Sequence, residues 1–342
     1  MQPKTPNTDV FIVGGGPAGL AAAIAARLKG FDVAVADAAE PPIDKACGEG
    51  LMPDSLEALR QLGVAIDPEQ SFVFRGIRFL GAGGSAAADF PGEPGIAIRR
   101  VRLHQNLIDR AQELGIRLLW RTHVTDLGDL RARWIVGADG ANSRVRRWAA
   151  LEAVRSESQR YGFRRHYSVR PWTDFMEVYW GAGSQMYVTG VGRDEMCIAL
   201  LTRDPHLRLG SALAGFPDVA RRLEGAATLS DERGAVTITR RLRRVYRDRT
   251  VLIGDASGSV DAITGEGMGL AFRQALALGD ALAANNLDQY QIAHRRLARR
   301  PALLAQLMLM LDRFPRVRPR VLRTFEAQPV IFERLLAVHV GA

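Results

Sequence analysis

The amino-acid sequence predicts an α/β protein. A mostly parallel sheet is built from separated stretches of chain and joined to an antiparallel sheet and a set of C-terminal helices. Three observations predict it. A short apolar run near the N-terminus leads through a glycine-rich turn into an Ala/Leu-rich segment. Two later stretches repeat the progression of apolar strand, acid-bearing turn and helix. The segments 71–94 and 151–239 carry short, strand-like apolar runs. With 342 residues, 47% of them hydrophobic, the chain can bury one large core and a smaller one. The expected organisation is a discontinuous parallel-sheet domain (1–70, 95–150 and 240–289), an antiparallel-sheet domain (71–94 and 151–239) and a helical cap (290–342).

Val10-Phe11-Ile12-Val13 suits a buried parallel strand. Gly14-Gly15-Gly16-Pro17-Ala18-Gly19 follows and matches G-x-G-x-x-G. Leu20 to Lys29 reads as a helix, with Gly30 at its C-cap. Phe31 to Ala36 is the second strand, ending at Asp37. In such a Rossmann-like unit Gly14 permits the tight turn, Gly16 lets the backbone approach a pyrophosphate, and Gly19 lets helix and strand pack closely. The helix start, at Pro17 and Ala18, offers partial positive charge and, after the proline, free N–H groups to phosphates. Asp37, 23 residues after Gly14, is placed to bind an adenosine ribose. Its charge disfavours a 2′-phosphate, so FAD or NAD fits better than NADP.

Lys45-Ala46-Cys47-Gly48-Glu49-Gly50 reads as a loop pressed against something flat or phosphorylated. Lys45 is a candidate contact to cofactor phosphates or ribose, with a solvated cation as the alternative. Cys47 is either a small residue suited to a tight loop or a chemical group. No His or second Cys stands near it in sequence to mark a nucleophile.

In the second stretch, Ile98 to Leu107 leads into a helix through Leu114, closed by Gly115. Ile116 to Trp120 is a strand, and Val124 ends a short crossing segment. Trp134 to Gly137 then runs into Asp139-Gly140, by itself an ordinary turn signal, and an Arg-rich helix. In the third, Thr250 to Ile253 is a strand ended by Gly254-Asp255. A glycine-spaced loop leads through Gly265-Glu266-Gly267-Met268-Gly269 to a helix reaching Ala284. The N-terminus of that helix suits an anionic flavin edge. Glu266 opposes such an anion, so its side chain is expected to point away or be neutral.

Together these blocks resemble the flavoprotein superfamily that includes para-hydroxybenzoate hydroxylase and geranylgeranyl reductase, over roughly residues 8–285. Gly14, Gly16, Gly19 and Asp37 match its first fingerprint. Arg100, Leu103 and Leu107 match its Arg-then-helix segment, in which the arginine contacts FAD. Gly137-Ala138-Asp139-Gly140-Ala141-Asn142-Ser143 is similar to the second motif, implicated in FAD pyrophosphate and NAD(P)H use. Gly254-Asp255 is similar to the third, where the acid binds the ribityl chain. The resemblance also implies that the backbone at Val124 touches the adenine. Cys47-Gly48-Glu49-Gly50 and Gly265-Glu266-Gly267 look more like the geranylgeranyl reductase branch, whose loop cysteine sits near the isoalloxazine. That makes Cys47 and Glu266 candidate catalytic residues. The branch's aromatic and proline substrate motif is missing. Tyr187-Val188-Thr189-Gly190 stands in its place.

No second G-x-G-x-x-G is present, so a nicotinamide reductant, NAD(P)H, is expected to bind transiently in a shared groove. Tyr179, Trp180 and Tyr187, with Trp172 and Met186, are candidates to line a substrate pocket on the antiparallel sheet, with core packing as the alternative. The histidines show no metal-ligand spacing, so the chemistry is assigned to the flavin. Three functions follow: an NAD(P)H-using monooxygenase acting on a largely apolar small molecule, favoured by the frequency of hydroxylases in the superfamily; a reductase of carbon–carbon double bonds; and a non-catalytic flavin-binding partner.

The net charge is +9, carried almost wholly by arginine. No nucleic-acid-reading motif accompanies it, so no nucleic-acid partner is expected. Cys47 and Cys197 are expected to be reduced thiols in a cytoplasmic protein. From Tyr290 onward ten Arg face three acids. Leu303, Leu304, Leu307, Met308 and Leu311 lie near helical spacing there. A helical cap accounts for them. So does a basic amphipathic surface touching anionic membrane.

Overall fold

The computed structural model describes residues 7–151 and 153–341. Lys4, the start of the expected first domain and the final Ala342 lie outside them. A six-stranded sheet runs in the order Tyr246–Arg247, Thr250–Leu252, Ala132–Gly137, Thr8–Val13, Val33–Ala36, Arg117–Leu119. All its neighbours are parallel except the Tyr246–Arg247 edge pair. The Thr8–Val13 strand is central and covered on both faces, which is why it reads as an unbroken apolar run. Val10 and Ile12 enter the core that includes the helices Pro17–Leu28, Arg100–Glu113 and Gly267–Ala283. Phe11 and Val13 enter a smaller cluster with Ile135, Val145 and Leu252.

A seven-stranded sheet runs Arg233–Leu242, Ala153–Tyr167, Glu195–Thr202, Ser184–Gly192, Phe175–Trp180, Gly76–Gly81, Gly84–Asp89. It is antiparallel apart from the parallel pairing of Phe175–Trp180 with Gly76–Gly81. Strand alternation gives it two distinct faces. Met176, Val178, Trp180, Tyr187 and Cys197 face the C-terminal helices Leu287–Arg313, Arg318–Ala327 and Pro329–Val340. Phe163, Tyr179, Met186 and Ile198 face the opposite way. A short sheet of Gly50–Leu51, Gly95–Ala97 and Phe72–Phe74 lies apart from both.

Two sequence expectations need correction. The segment 151–239, expected to form antiparallel sheet, also holds two short helices, Leu209–Ala212 and Pro217–Arg222. Pro217 at the first helical position and Asp218 in the first turn are ordinary start signals. Leu209, Ala212, Phe216 and Val219 fill the second face of the sheet. The last long helix begins at Leu287 rather than Tyr290, because the Asn286 side chain accepts the N–H groups of Asp288 and Gln289.

One buried ionic cluster joins the parts. The Arg160 guanidinium, 1% exposed, pairs with Asp261 at 3.0 Å and with Asp312 at 3.0 Å. Asp312 also accepts from Gln185 at 2.6 Å and pairs with Arg203 at 2.8 Å. Removing one member of such a buried set leaves an uncompensated charge, at a cost of about 3–5 kcal/mol.

Close helix contact depends on Gly269. A Cβ added there would sit 1.9 Å from Ser55 Oγ, on the helix Pro53–Gln61. Gly269→Ala should therefore lower stability by about 1–3 kcal/mol in urea unfolding. Gly267→Ala, whose Cβ meets no atom within 4 Å, should leave it unchanged or slightly raised.

Candidate cofactor and active site

A groove of ≈ 650 Å³ is lined by residues from all three Rossmann-like stretches and from the loop before the Gly267–Ala283 helix. Its size falls in the ~300–1,000 Å³ range of small-molecule sites. The first stretch contributes Gly14, Gly16, Pro17, Ala18, Asp37, Lys45, Cys47 and Gly48. The second contributes Arg100, Val124, Asp139 and Gly140, and the third Gly254, Asp255, Gly265, Glu266, Gly267 and Met268.

Gly19 and Gly269 do not line it. A Cβ on Gly19 would lie 1.8 Å from the Gly14 carbonyl oxygen. Its absence lets the helix start directly against the strand end. Gly269 faces Ser55 instead.

The groove fits FAD. The helices Pro17–Leu28 and Gly267–Ala283 both begin without a side-chain cap. Their first N–H groups and positive dipole ends are thus left for anionic groups. A Cβ built on Gly16 meets nothing within 4 Å, so the backbone there borders open space. Arg100 lines the groove and brings a guanidinium, which bonds Met268 Sδ at 3.5 Å, to its wall. Asp37 accepts the Gly15 N–H at 2.6 Å and the Ala39 N–H at 2.8 Å, which fixes the carboxylate at the groove wall. Lys45 and Asp255 pair at 3.2 Å. The Asp139 carboxylate accepts the N–H groups of Arg144 at 2.6 Å and Val145 at 3.1 Å, and a bond from Ser143 Oγ. It holds the turn in shape, and Gly140, at φ +78°, completes that turn.

Behind the loop carrying Cys47 lies a buried polar cluster that the sequence did not reveal. Glu49 has a left-handed backbone, φ +63°, a strain of roughly 1–3 kcal/mol for a non-glycine residue. Its carboxylate accepts the Arg100 N–H at 3.0 Å and bonds His166 Nε2 at 2.7 Å. Arg164 donates to Asp44 and lies 3.8 Å from Glu49. Glu49, His166 and Cys197 bring ligand-type atoms within 4.8 Å of one another, but Arg164 already balances the local charge. Cys197 Sγ donates to the Cys47 carbonyl at 3.7 Å, and both thiols are free. Burial pushes the Cys47 thiol up from its ordinary value. That opposes a thiolate role.

Glu266 lines the groove yet is 6% exposed, and its Oε2 has no partner. Burial raises its carboxyl to about 8, so it is neutral at pH 7. The nearest basic groups are His339 at 3.6 Å and Arg273 at 4.0 Å. Burial lowers His339 to about 4, and Arg273 pairs with Asp54.

Tyr179, Trp180 and Tyr187 do not line the groove, and the expectation for them is corrected. Tyr179 lies on the opposite sheet face, its hydroxyl donating to Glu177 at 2.9 Å. Trp172 shares that face and donates to Glu177 at 3.2 Å, and Met186 packs there too. Trp180 is locked edge-on against Phe79 and under Arg318. Tyr187 donates to the Ile263 carbonyl at 2.6 Å and so braces the groove loop from behind. Strand parity decides these assignments. A single uncertain register hides it from sequence.

Because Gly16 has φ −72° and open space beside it, Gly16→Val should fold normally by circular dichroism and thermal melting. It should also lose FAD affinity by roughly tenfold or more in a flavin fluorescence titration.

The profile of the FAD binding domain family matches residues 7–178. A menaquinone reductase of Mycobacterium tuberculosis is 29% identical over 92% of this chain and 86% of its own length. A digeranylgeranylglycerophospholipid reductase of Methanosphaera stadtmanae is 24% identical over 83% and 82%. Among solved structures, a flavin-dependent brominase superposes with a TM-score of 0.81 at 19% identity, over 98% of this chain and 94% of that one, which is a likeness of fold. A fingerprint with its uncapped helix, an arginine on the groove wall and a groove of the right size meet a profile covering half of the sequence: the chain belongs to the FAD binding domain family and is an FAD-dependent oxidoreductase.

Proposed function

We propose that the protein reduces a carbon–carbon double bond in a long, apolar, isoprenoid-like substrate. The observation that carries this reading is Glu266, a groove-lining residue whose buried carboxyl is held neutral. Held by the uncapped helix starts, Asp37 and Arg100, FAD would supply the hydride that reduces a carbon of the substrate, with a separate donor as the source of the electrons. Saturating the bond then needs a proton on the neighbouring carbon. Glu266 holds that proton at pH 7, and water restores it afterwards. The unpartnered helix start at Gly267 stabilises negative charge beside it. Glu49 fixes the backbone at Arg100 and so the place of that side chain in the groove. The names of the two curated relatives described above, both reductases, support the same reading. NAD(P)H is proposed as a transient donor in the same groove, because the sequence holds one dinucleotide fingerprint.

Hydroxylation, favoured by superfamily frequency, gives a different product. Reduced protein mixed with a polyprenyl quinone without oxygen should yield a product that, after chemical reoxidation of any quinol to the quinone, is still heavier by two hydrogens in mass spectrometry, with both in the prenyl-chain fragments. A product formed only in air and heavier by one oxygen would replace the proposal with hydroxylation. If Glu266 is the donor, kcat should fall as pH rises through about 8, where the acid loses its proton. Glu266→Gln should lower kcat by about a hundredfold or more and erase that alkaline limb while leaving FAD bound.

A further inference from the structure

The last long helix has two different faces. Pro301, Ala305, Met308 and Leu311 are buried, and Pro301 lines the cofactor groove. Leu303, Leu307, Met310 and Phe314 are 55%, 38%, 46% and 50% exposed. Their spacings of 4, 3 and 4 residues place them within one ~60° arc at 100° per residue. The stripe continues toward the N-terminus through exposed Arg299, Arg296 and Ile292, the last 67% exposed. Sequence alone mixed the two faces, since Met308 and Leu311 point inward and Leu303 and Leu307 outward.

Arginines surround this stripe. Arg295, Arg296, Arg299, Arg300, Arg313 and Arg316 are exposed. None forms an ion pair with a carboxylate among the described residues. Of the two acids on the helix, Asp312 is buried and committed to Arg160 and Arg203, and Asp288, in the first turn before the arginines begin, accepts from the Tyr246 hydroxyl. An apolar ridge flanked by unpaired cations matches the interface of an anionic bilayer: apolar side chains enter the acyl boundary while guanidinium groups meet headgroup phosphates. An acidic protein surface would match the cations but leave the ridge uncovered. No helix among the described residues is long and apolar enough to cross a membrane, so the contact lies in the interface plane.

We propose that the outer face of the Leu287–Arg313 helix docks the protein on anionic lipid bilayers. The groove-lining Pro301 on the reverse of the same helix then sits close to that surface. The docking itself rests on the surface alone. Delivery of a lipid substrate to the groove rests on the reductase reading.

The test is co-sedimentation of the FAD-loaded protein with vesicles of phosphatidylcholine alone or mixed with phosphatidylglycerol. Wild-type protein should pellet with the mixed vesicles and be released by salt. Binding to phosphatidylcholine alone should be roughly tenfold weaker or less. A Leu303→Ser/Leu307→Ser/Met310→Ser variant should lose mixed-vesicle binding, with its melting temperature and flavin content kept. An Arg296→Glu/Arg299→Glu variant should lose it likewise. Equal partitioning of wild type into both vesicle types would overturn the proposal. So would a soluble dimer, seen by light scattering, that the serine variant dissolves while neither protein binds vesicles. Vesicle binding without any double-bond reduction would sink the reductase reading and leave the docking intact.

Discussion

The contact on which the site depends is between Gly19 and the carbonyl of Gly14. With no Cβ on Gly19, the first turn of the Pro17–Leu28 helix begins against the end of the central strand. The helix N-terminus is thereby aimed along the groove, with roughly half a positive charge and several unbonded N–H groups. The Gly267–Ala283 helix presents a second uncapped start to the same groove. Two such ends converge where a dinucleotide has its two phosphates and an electron-rich ring. Neither is closed by a serine, threonine or aspartate of the chain. The site is therefore defined as much by caps left off as by side chains put in.

Around that contact the protein separates rigid support from open chemistry. Asp139 holds a turn, Glu49 holds the backbone of Arg100, and Tyr187 braces the loop at Ile263. These groups are fully bonded and lie at or behind the groove wall. Glu266 and Arg100 carry polar atoms with no partner on the protein. Buried polar atoms without partners are costly in a finished structure, and these two belong to residues that line the groove. The Arg160–Asp261–Asp312 cluster ties the loop before Glu266 to the sheet and to the last long helix. The face proposed to meet lipid is thus mechanically joined to the wall of the groove.

Much of this was legible in the sequence because the dinucleotide cradle is local. Gly14, Gly16, Gly19 and Asp37 lie within one strand–helix–strand unit, so spacing alone constrains their geometry. Asp255 and Gly267 could be placed by the same logic one element at a time. The remainder depended on pairing between distant strands. Whether Tyr179 or Val178 faces the flavin side is set by strand parity, and no local pattern fixes it. Glu49, Arg164 and His166 belong to one cluster only because the loop at 44–50 lies against the strand Ala153–Tyr167. Asp139 lines the groove as read from sequence, and its carboxylate also bonds the next helix start, which local spacing did not reveal. Gly269 was read the same way, and it makes room for a neighbouring helix.

The central claim is that bare helix ends, and hence the dinucleotide phosphates, supply most of the cofactor's grip. The most direct test is a fluorescence titration of the flavin-free protein with FAD and with riboflavin, which has the same ring and no phosphate. The account predicts that FAD binds at least ~100-fold more tightly, a difference of about 2.7 kcal/mol, with a preference that shrinks as salt is raised. Equal affinity for the two would contradict it, because the ring alone would then be what the groove holds.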